Sequence, residues 1–310
     1  MKDLVRIGTR KSKLALWQAY FIEDLLKKIG LATEIVPIET KGDKILNVSI
    51  AKIGSKGVFT EEIEEQLKNG NIDIAVHSAK DMQSDIGHDF EIIAFTKREI
   101  VNDVVVSMDK AISIEDFNRE IKVGTSSVRR ISFLKHFYPN VKPVEIRGNL
   151  QTRISKLENG LCDVLILAYA GVYRMNLTDM IRFMLPKDKF IPPVGQASIA
   201  VEASVNLLEE KKQIIRSTIN DYDTEKCIIA ERAFLKTLQG GCSVPVFALA
   251  EFDEGKLSIK GGIVSLDGKI ILQDFVSGQK AEAIELGKNL ATSILEKGGE
   301  KLLKEIKNDI

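Results

Sequence analysis

The 310-residue chain carries 44 Lys and Arg against 44 Asp and Glu, with three His and three Cys, so its formal charge is zero. At about 150 residues per domain, this length predicts two or three domains, each with its own core. Neutrality argues against a generic nucleic-acid binder, which needs a basic domain. Hydrophobic residues make up 44% and charged residues 28%, the balance of a soluble globular protein. No apolar run reaches the roughly 18 residues of a membrane span; the longest, residues 164–172, reads as a buried strand. The first residues are charged (Lys2, Asp3, Arg6, Arg10, Lys11, Lys13) and strand-like sequence begins at Leu4, so no signal peptide is expected. Three widely spaced cysteines make no disulfide framework, which points to a reduced, cytoplasmic protein.

In chain order, Leu4-Val5-Arg6-Ile7 is β-like, Gly8-Thr9 breaks it, and Ser12 caps a helix running to about Lys28. A strand at Glu34–Glu39 follows, then a Gly- and Lys-rich loop at 43–58, an acidic helix at Phe59–Asn69 and a strand at Ile72–Val76. This alternation predicts an α/β sheet with parallel strands. The same grammar then recurs. Val123-Gly124-Thr125 matches Ile7-Gly8-Thr9, Glu145-Ile-Arg147-Gly148-Asn149 matches Glu39-Thr-Lys41-Gly42-Asp43, and Asn159-Gly160 through Val164 matches Asn69-Gly70 through Ile74. Three matches in the same order predict two similarly folded domains. Ile191-Pro192-Pro193 marks a boundary, and a helix-like stretch, Gln196 to Leu208, returns to the first domain. The last third reads as a separate α+β domain: a helix at 224–238, strands near 246–252, 257–266 and 269–276 with an Asp267-Gly268 hairpin turn, and a helix at 281–297.

Local charge is not neutral. Between Ile121 and Lys156 stand eight Lys or Arg and one acid, Glu145, a local excess of seven positive charges. Gly124-Thr125-Ser126-Ser127 lies where a strand feeds a helix, so backbone N–H groups and hydroxyls face one spot. Arg129 and Arg130 fall in that helix's first turn, where the helix dipole disfavours cations unless an anion is bound. Arg147 and Arg153 occupy the next turn-to-helix segment, and Arg10 and Lys11 the corresponding place in the first domain. Guanidinium groups suit carboxylates or phosphates, and a cleft between two α/β domains is a usual ligand site. Asp81, in His77-Ser78-Ala79-Lys80-Asp81, lies at a strand's C-terminal end, where such folds gather catalytic groups. It can stabilise a cation or exchange protons, or simply cap backbone N–H groups. Gly240-Gly241-Cys242-Ser243 sets a cysteine in a tight turn, the reactive candidate of the three. Cys162 and Cys227 read as core thiols. No Cys/His spacing suggests a metal, and no GxGxxG or phosphate loop suggests a nucleotide.

These segments together resemble the porphobilinogen deaminase family: Arg6-Ile-Gly-Thr-Arg10 with Leu14-Ala-Leu-Trp-Gln18, His77 through Asp81, Val123-Gly-Thr-Ser-Ser-Val-Arg-Arg130, Glu145-Ile-Arg-Gly-Asn149 and Gly240-Gly-Cys242. The resemblance covers nearly the whole chain. It implies two similar domains of the type 2 periplasmic-binding-protein kind, 1–98 with 195–216 and 99–194, and a smaller α+β domain, 217–310, carrying the cofactor cysteine. It also implies a dipyrromethane cofactor held through a thioether to Cys242. Four porphobilinogen molecules add in turn, each losing ammonia, and water releases hydroxymethylbilane. Asp81 matches the catalytic aspartate, and Arg10, Arg129, Arg130, Arg147, Arg153 and Arg174 match positions that bind pyrrole carboxylates. Ser12, Lys80, Thr125, Ser126, Ser127 and Gly148 match further contacts, and Lys52, Lys56 and Phe59 are loop candidates. A monomer with no nucleic-acid or membrane partner is the family expectation. The chain departs from the family at Lys13 and Gln83, where proline is usual, and at Ala197, where glycine is usual; these bear on loop geometry. The competing reading is a non-catalytic binder of a small organic anion, which gives Cys242 and Asp81 no use. A nucleic-acid module would need stacking aromatics among the basic residues, but Phe133, Phe137 and Tyr138 suit a helix's buried side better.

Overall fold

The computed structural model describes residues 4–44, 60–116, 119–240 and 244–309. The chain divides into two compact units, one drawn from Met1–Glu99 and Gly195–Lys226, the other from Ile100–Val194 and Cys227–Ile310. The sheet of the first unit runs β2-β1-β3-β10-β4, with β1 at Leu4–Arg10, β2 at Ala32–Ile38, β3 at Ile74–Ser78, β4 at Phe90–Phe95 and β10 at Ile199–Ser204. Strand β1 is parallel to β2 and β3, whereas β10 is antiparallel to both its neighbours. The five-stranded sheet of the second unit runs β7-β6-β8-β5-β9, with β5 at Asp103–Val106, β6 at Ile121–Gly124, β7 at Val141–Val144, β8 at Val164–Ala168 and β9 at Ile181–Met184. Here β6 is parallel to β7 and β8, and β5 is the antiparallel strand. The two sheets therefore share one topology and are mainly parallel. In each, the reversed strand lies on the other side of the chain crossover from its partners: β10 returns late, and β5 departs early.

The likeness extends to hydrogen bonds. Asp73 donates its N–H to Arg6 O (2.9 Å), and its carboxylate accepts from Arg6 N (2.8 Å). Asp163 does the same with Lys122, at 2.9 and 2.7 Å. These pairs sit at the offsets of 116 and 90 residues that relate the recurring motifs.

Helix α1 (Lys13–Lys28) starts where Ser12 Oγ accepts from Ala15 N at 3.3 Å. It turns Ala19, Ile22 and Leu26 onto Val5, Ile7, Ile74 and Val76. Each fully buried aliphatic side chain of this kind stabilises the fold by about 1.5–3 kcal/mol. Helix α2 (Glu61–Lys68) packs Ile63 and Leu67 against Ile72 and Ala75. In the second unit, α3 (Val128–Phe137), α4 (Leu150–Glu158) and α5 (Tyr169–Arg174) accompany the sheet. Helix α6 (Glu209–Ile219) belongs to the first unit, and α7 (Tyr222–Thr237) leads on into the antiparallel sheet β11 (Val246–Asp253), β12 (Lys256–Val264) and β13 (Ile271–Gly278). Helices α8 (Ala283–Ile294) and α9 (Glu300–Asp309) follow, and Phe234, Ile259, Ile263, Leu290 and Ile294 form this region's core. Its attachment to the second five-stranded region is aromatic. The Phe133 ring lies 5.1 Å from Phe190 and 5.0 Å from Phe247, and His136 Nδ1 lies 2.6 Å from Gly268 O.

Four local expectations change. Residues 196–208 contain strand β10 rather than a helix; Ile199, Val201 and Ala203 pack on one face while Glu202, also buried, points to the other. A strand buried on both faces has no alternation to distinguish it from a buried helix. The apolar run 164–172 splits, with β8 ending at Ala168 and α5 beginning at Tyr169. Strand β1 continues through Gly8-Thr9 to Arg10. Lys41–Lys44 form a short helical turn that overlaps only the first two residues of the expected 43–58 loop, and Lys52, Lys56 and Phe59 lie outside the described residues.

Phe133 is fully buried and shared by the two regions of the second unit. Phe133→Ala is expected to cost about 3–5 kcal/mol, read as a lower urea midpoint. An unchanged midpoint would show that this aromatic contact does not hold the regions together.

Candidate active site

The second unit presents its polar residues at the C-terminal ends of β6 and β7. Thr125 is buried; its N–H donates to Val144 O (3.0 Å) and its hydroxyl accepts from Ser127 N (3.3 Å). Ser127 caps α3 by accepting from Arg130 N, and Ser126 is half-buried between them. Two residues on, the expected arrangement changes. Arg129 and Arg130 are only 4% and 6% exposed, and both are paired to Asp103, which is wholly buried. Arg129 Nη2 lies 2.5 Å from Asp103 Oδ2, and Arg130 Nη2 lies 2.7 Å from Oδ1. Arg129 Nη1 donates to Ile191 O (2.7 Å) and Arg130 Nη1 to Ile166 O (2.8 Å). The anion that permits cations in the first turn of α3 is thus the protein's own carboxylate, 26 and 27 residues upstream. Burial by itself would raise the Asp103 carboxyl, but the guanidiniums of Arg130 and Arg129 outweigh it and hold the group well below the usual carboxylate range. The triad keeps one net positive charge, and Arg129 Nε is buried without an acceptor among the described residues.

Arg147 and Gly148 precede Asn149, whose side chain caps α4 by accepting from Thr152 N (3.0 Å). Gly148 has φ +111, and a Cβ there would stand 2.6 Å from Thr152 Cγ2, so only glycine fits. Two cations brace this turn from the helix: Arg153 Nε donates to Gly148 O (2.8 Å) and Lys156 Nζ to Arg147 O (3.1 Å). Arg147 Nη1 is buried and has no acceptor among the described residues. Arg174, half-buried, ends α5.

In the first unit, Asp81 closes a 3-10 turn, Ala79–Asp81, directly after β3, and is exposed. The turn is held from one side by the segment leading into β10. Ala79 N donates to Ser198 O (3.0 Å), and Lys80 Nζ donates to Gln196 Oε1 (3.2 Å). Gly195, at φ +73, approaches so closely that a Cβ would lie 2.9 Å from the Ala79 carbonyl carbon. Ala197 has φ +77, the left-handed region that favours glycine, at a cost of about 1–2 kcal/mol for a residue with a Cβ. Arg10, half-buried, ends β1, and Ser12 is taken up in capping α1. Beneath the turn, His77 Nε2 lies 3.2 Å from Glu202 Oε2, both side chains buried.

The cysteine expectation divides. Cys162 and Cys227 are buried and in no disulfide, and burial pushes the Cys162 thiol up to about 11. Cys242 lies outside the described residues. No group of three His, Cys, Asp or Glu among the described residues is placed to hold a metal, and no described helix is long and apolar enough to cross a membrane. Sequence reasoning missed Asp103, the His77–Glu202 pair and the partners of Gln83. The signal for Asp103 was an acid opening an otherwise apolar strand, Asp103-Val-Val-Val.

Asp103→Asn leaves two buried guanidiniums without their counter-charge and is expected to cost about 3–5 kcal/mol. In the parent protein, a carboxyl held this low favours folding above its unfolded value of about 3.9 and loses that contribution as pH falls through its folded value. The deficit of the variant, measured by urea unfolding, should therefore be constant from neutral pH down to about pH 5. A variant as stable as the parent would contradict the pairing.

Residues 5–212 match the family model described as porphobilinogen deaminase, dipyrromethane cofactor binding domain, and residues 225–296 match that of the porphobilinogen deaminase C-terminal domain. The porphobilinogen deaminase of Desulfosudis oleivorans is 54% identical over 303 residues, covering 98% of this chain and 98% of that protein. That of Cytophaga hutchinsonii is 51% identical over 310 residues, covering 100% and 99%. Among solved structures, the methionine binding protein MetQ is 13% identical with a TM-score of 0.46, covering 70% of this chain and 90% of that one. A BvgS periplasmic domain of Bordetella pertussis is 17% identical with a TM-score of 0.43, covering 70% and 86%. On the extent and identity of the sequence matches, the chain belongs to the porphobilinogen deaminase family.

Proposed function

We propose that this protein is a transferase that joins four porphobilinogen molecules head to tail with loss of ammonia and releases hydroxymethylbilane by hydrolysis. It acts as a cytoplasmic monomer in tetrapyrrole biosynthesis. The observation that carries the reading is the match of residues 5–212 to a dipyrromethane-cofactor-binding domain, joined to the C-terminal match at 225–296. A three-part organisation, 1–98 with 195–216, 99–194 and 217–310, belongs to the same proposal.

The residues present suit such a cofactor. A dipyrromethane carries carboxylates, and Arg147 Nη1 is a buried donor still without an acceptor among the described residues. Arg10, Arg147, Arg153 and Arg174 would bind its carboxylates, with Ser12, Lys80, Ser126, Ser127 and Gly148 as further contacts. Thr125, Arg129 and Arg130 serve from beneath, through loop geometry and the net charge of the Asp103 triad. Cys242 would hold the cofactor through a thioether. When bound, the cofactor supplies the free pyrrole carbon to which the first porphobilinogen is joined.

Asp81 is the group assigned to the chemistry. Its carboxylate, exposed at the end of a turn fixed by Ser198, Gln196 and Gly195, accepts hydrogen bonds from pyrrole N–H. It stabilises the positive charge that develops as ammonia leaves, and it takes up the proton released when the new carbon–carbon bond forms. The alternative of a non-catalytic anion binder gives this carboxylate nothing to do.

Intact mass of the purified protein should exceed the chain mass by one dipyrromethane, and Cys242→Ser should abolish the excess. An unmodified mass in active protein would refute the attachment. Asp81→Glu should keep the fold but slow hydroxymethylbilane formation by roughly a hundredfold, since about 1 Å of misplacement costs that much. Near-parent turnover would remove Asp81 from the mechanism.

A further inference from the structure

The turn carrying Asp81 is held on a second side by the side chain of Gln83. Two residues beyond the aspartate, the Gln83 side-chain amide donates both its hydrogens, to Thr60 Oγ1 at 3.1 Å and to Glu64 Oε1 at 3.4 Å. Both acceptors belong to α2: Thr60 is its buried N-cap residue, and Glu64 lies one turn on. The helix is fixed in turn by Ile63 and Leu67 against Ile72 and Ala75. Glu64 is close enough to His77 and Glu202 to feel their charge. Burial raises its carboxyl, Thr60, His77 and Gln83 act the other way, and Glu202 adds to the rise.

Glutamine leaves its own φ free, whereas the proline usual at this place in the family fixes φ by its ring. Here restraint comes from the side chain instead. Within the turn, Met82 N donates to Ala79 O at a long 3.4 Å.

We propose that Gln83 is a positioning residue for Asp81, its amide tying the catalytic turn to the N-terminal end of α2 through Thr60 and Glu64. The inference rests on the reading of Asp81 as the catalytic carboxylate. Gln83 touches no reacting atom; it fixes where the carboxylate stands when the substrate arrives.

The test uses holoenzyme with porphobilinogen, together with hydrogen exchange of the peptide covering residues 79–85. In Gln83→Leu, kcat should fall roughly five- to tenfold with KM within about twofold, because positioning acts on the transition state more than on binding. Amide exchange in 79–85 should quicken by roughly tenfold, a readout independent of turnover. Gln83→Glu sets two carboxylates against each other and should be at least as slow. Adding Glu64→Gln restores an amide–carboxylate pair with the roles reversed, and should recover kcat to within about threefold of the parent. Parent-like kcat and exchange in Gln83→Leu would overturn the proposal, as would a double variant no faster than Gln83→Glu alone. If Gln83→Leu does not fold, the comparison of Gln83→Glu with the double variant decides. Failure of the Asp81 reading looks different: Asp81→Glu would then turn over normally while exchange in 79–85 still responded to Gln83.

Discussion

Two guanidinium groups buried side by side repel each other and lose their hydration, a cost of several kcal/mol unless a carboxylate is brought to the same place. Asp103 is that carboxylate, and satisfying this one constraint joins much of the second unit. Asp103 opens β5, Arg129 and Arg130 begin α3, and the arginines' remaining donors reach Ile166 in β8 and Ile191 near the crossover. Four segments distant in sequence are thereby pinned at the point where the Thr125–Ser127 loop leaves β6. The single net positive charge beneath the loop and the donor left over at Arg129 follow from that arrangement.

The first unit uses different means at the end of β3, the counterpart of β8 rather than of β6. There the turn after β3 is held by backbone and amide contacts, from Ser198, Gln196 and Gly195 on one side and from Gln83 on the other. The strained backbone at Ala197 belongs to the same cluster, which fits a segment whose shape is dictated by its neighbours more than by its own preferences. One topology thus carries two kinds of polar end: a carboxylate on a braced turn, and cations around a loop of threonine and serine hydroxyls.

Much of this was legible in the sequence, and for identifiable reasons. The repeated turns at 7–9 and 123–125 and at 69–73 and 159–163 announce the duplication, and the same bonds join them in both copies: Asp73 with Arg6, and Asp163 with Lys122. Ser12, Ser127 and Asn149 signalled helix starts through short-range capping. What escaped was long-range. The partner of Arg129 and Arg130 lies across a sheet, so the basic cluster looked like a ligand surface when part of it is internal. Strand β10 reads as a helix in the sequence because both its faces are buried and no alternation marks it. The tether from Gln83 to α2 spans about twenty residues that follow no local rule.

A chain that builds a linear tetrapyrrole on itself before releasing it must carry the growing product covalently. Intact-mass analysis of holoenzyme titrated with porphobilinogen tests this most directly. The expected result is a ladder of species, each heavier by one porphobilinogen less one ammonia, up to four additions, with hydroxymethylbilane appearing as the ladder returns to its base. Binding of porphobilinogen with no covalent mass steps and no release of ammonia would contradict it and leave a protein that only holds the ligand.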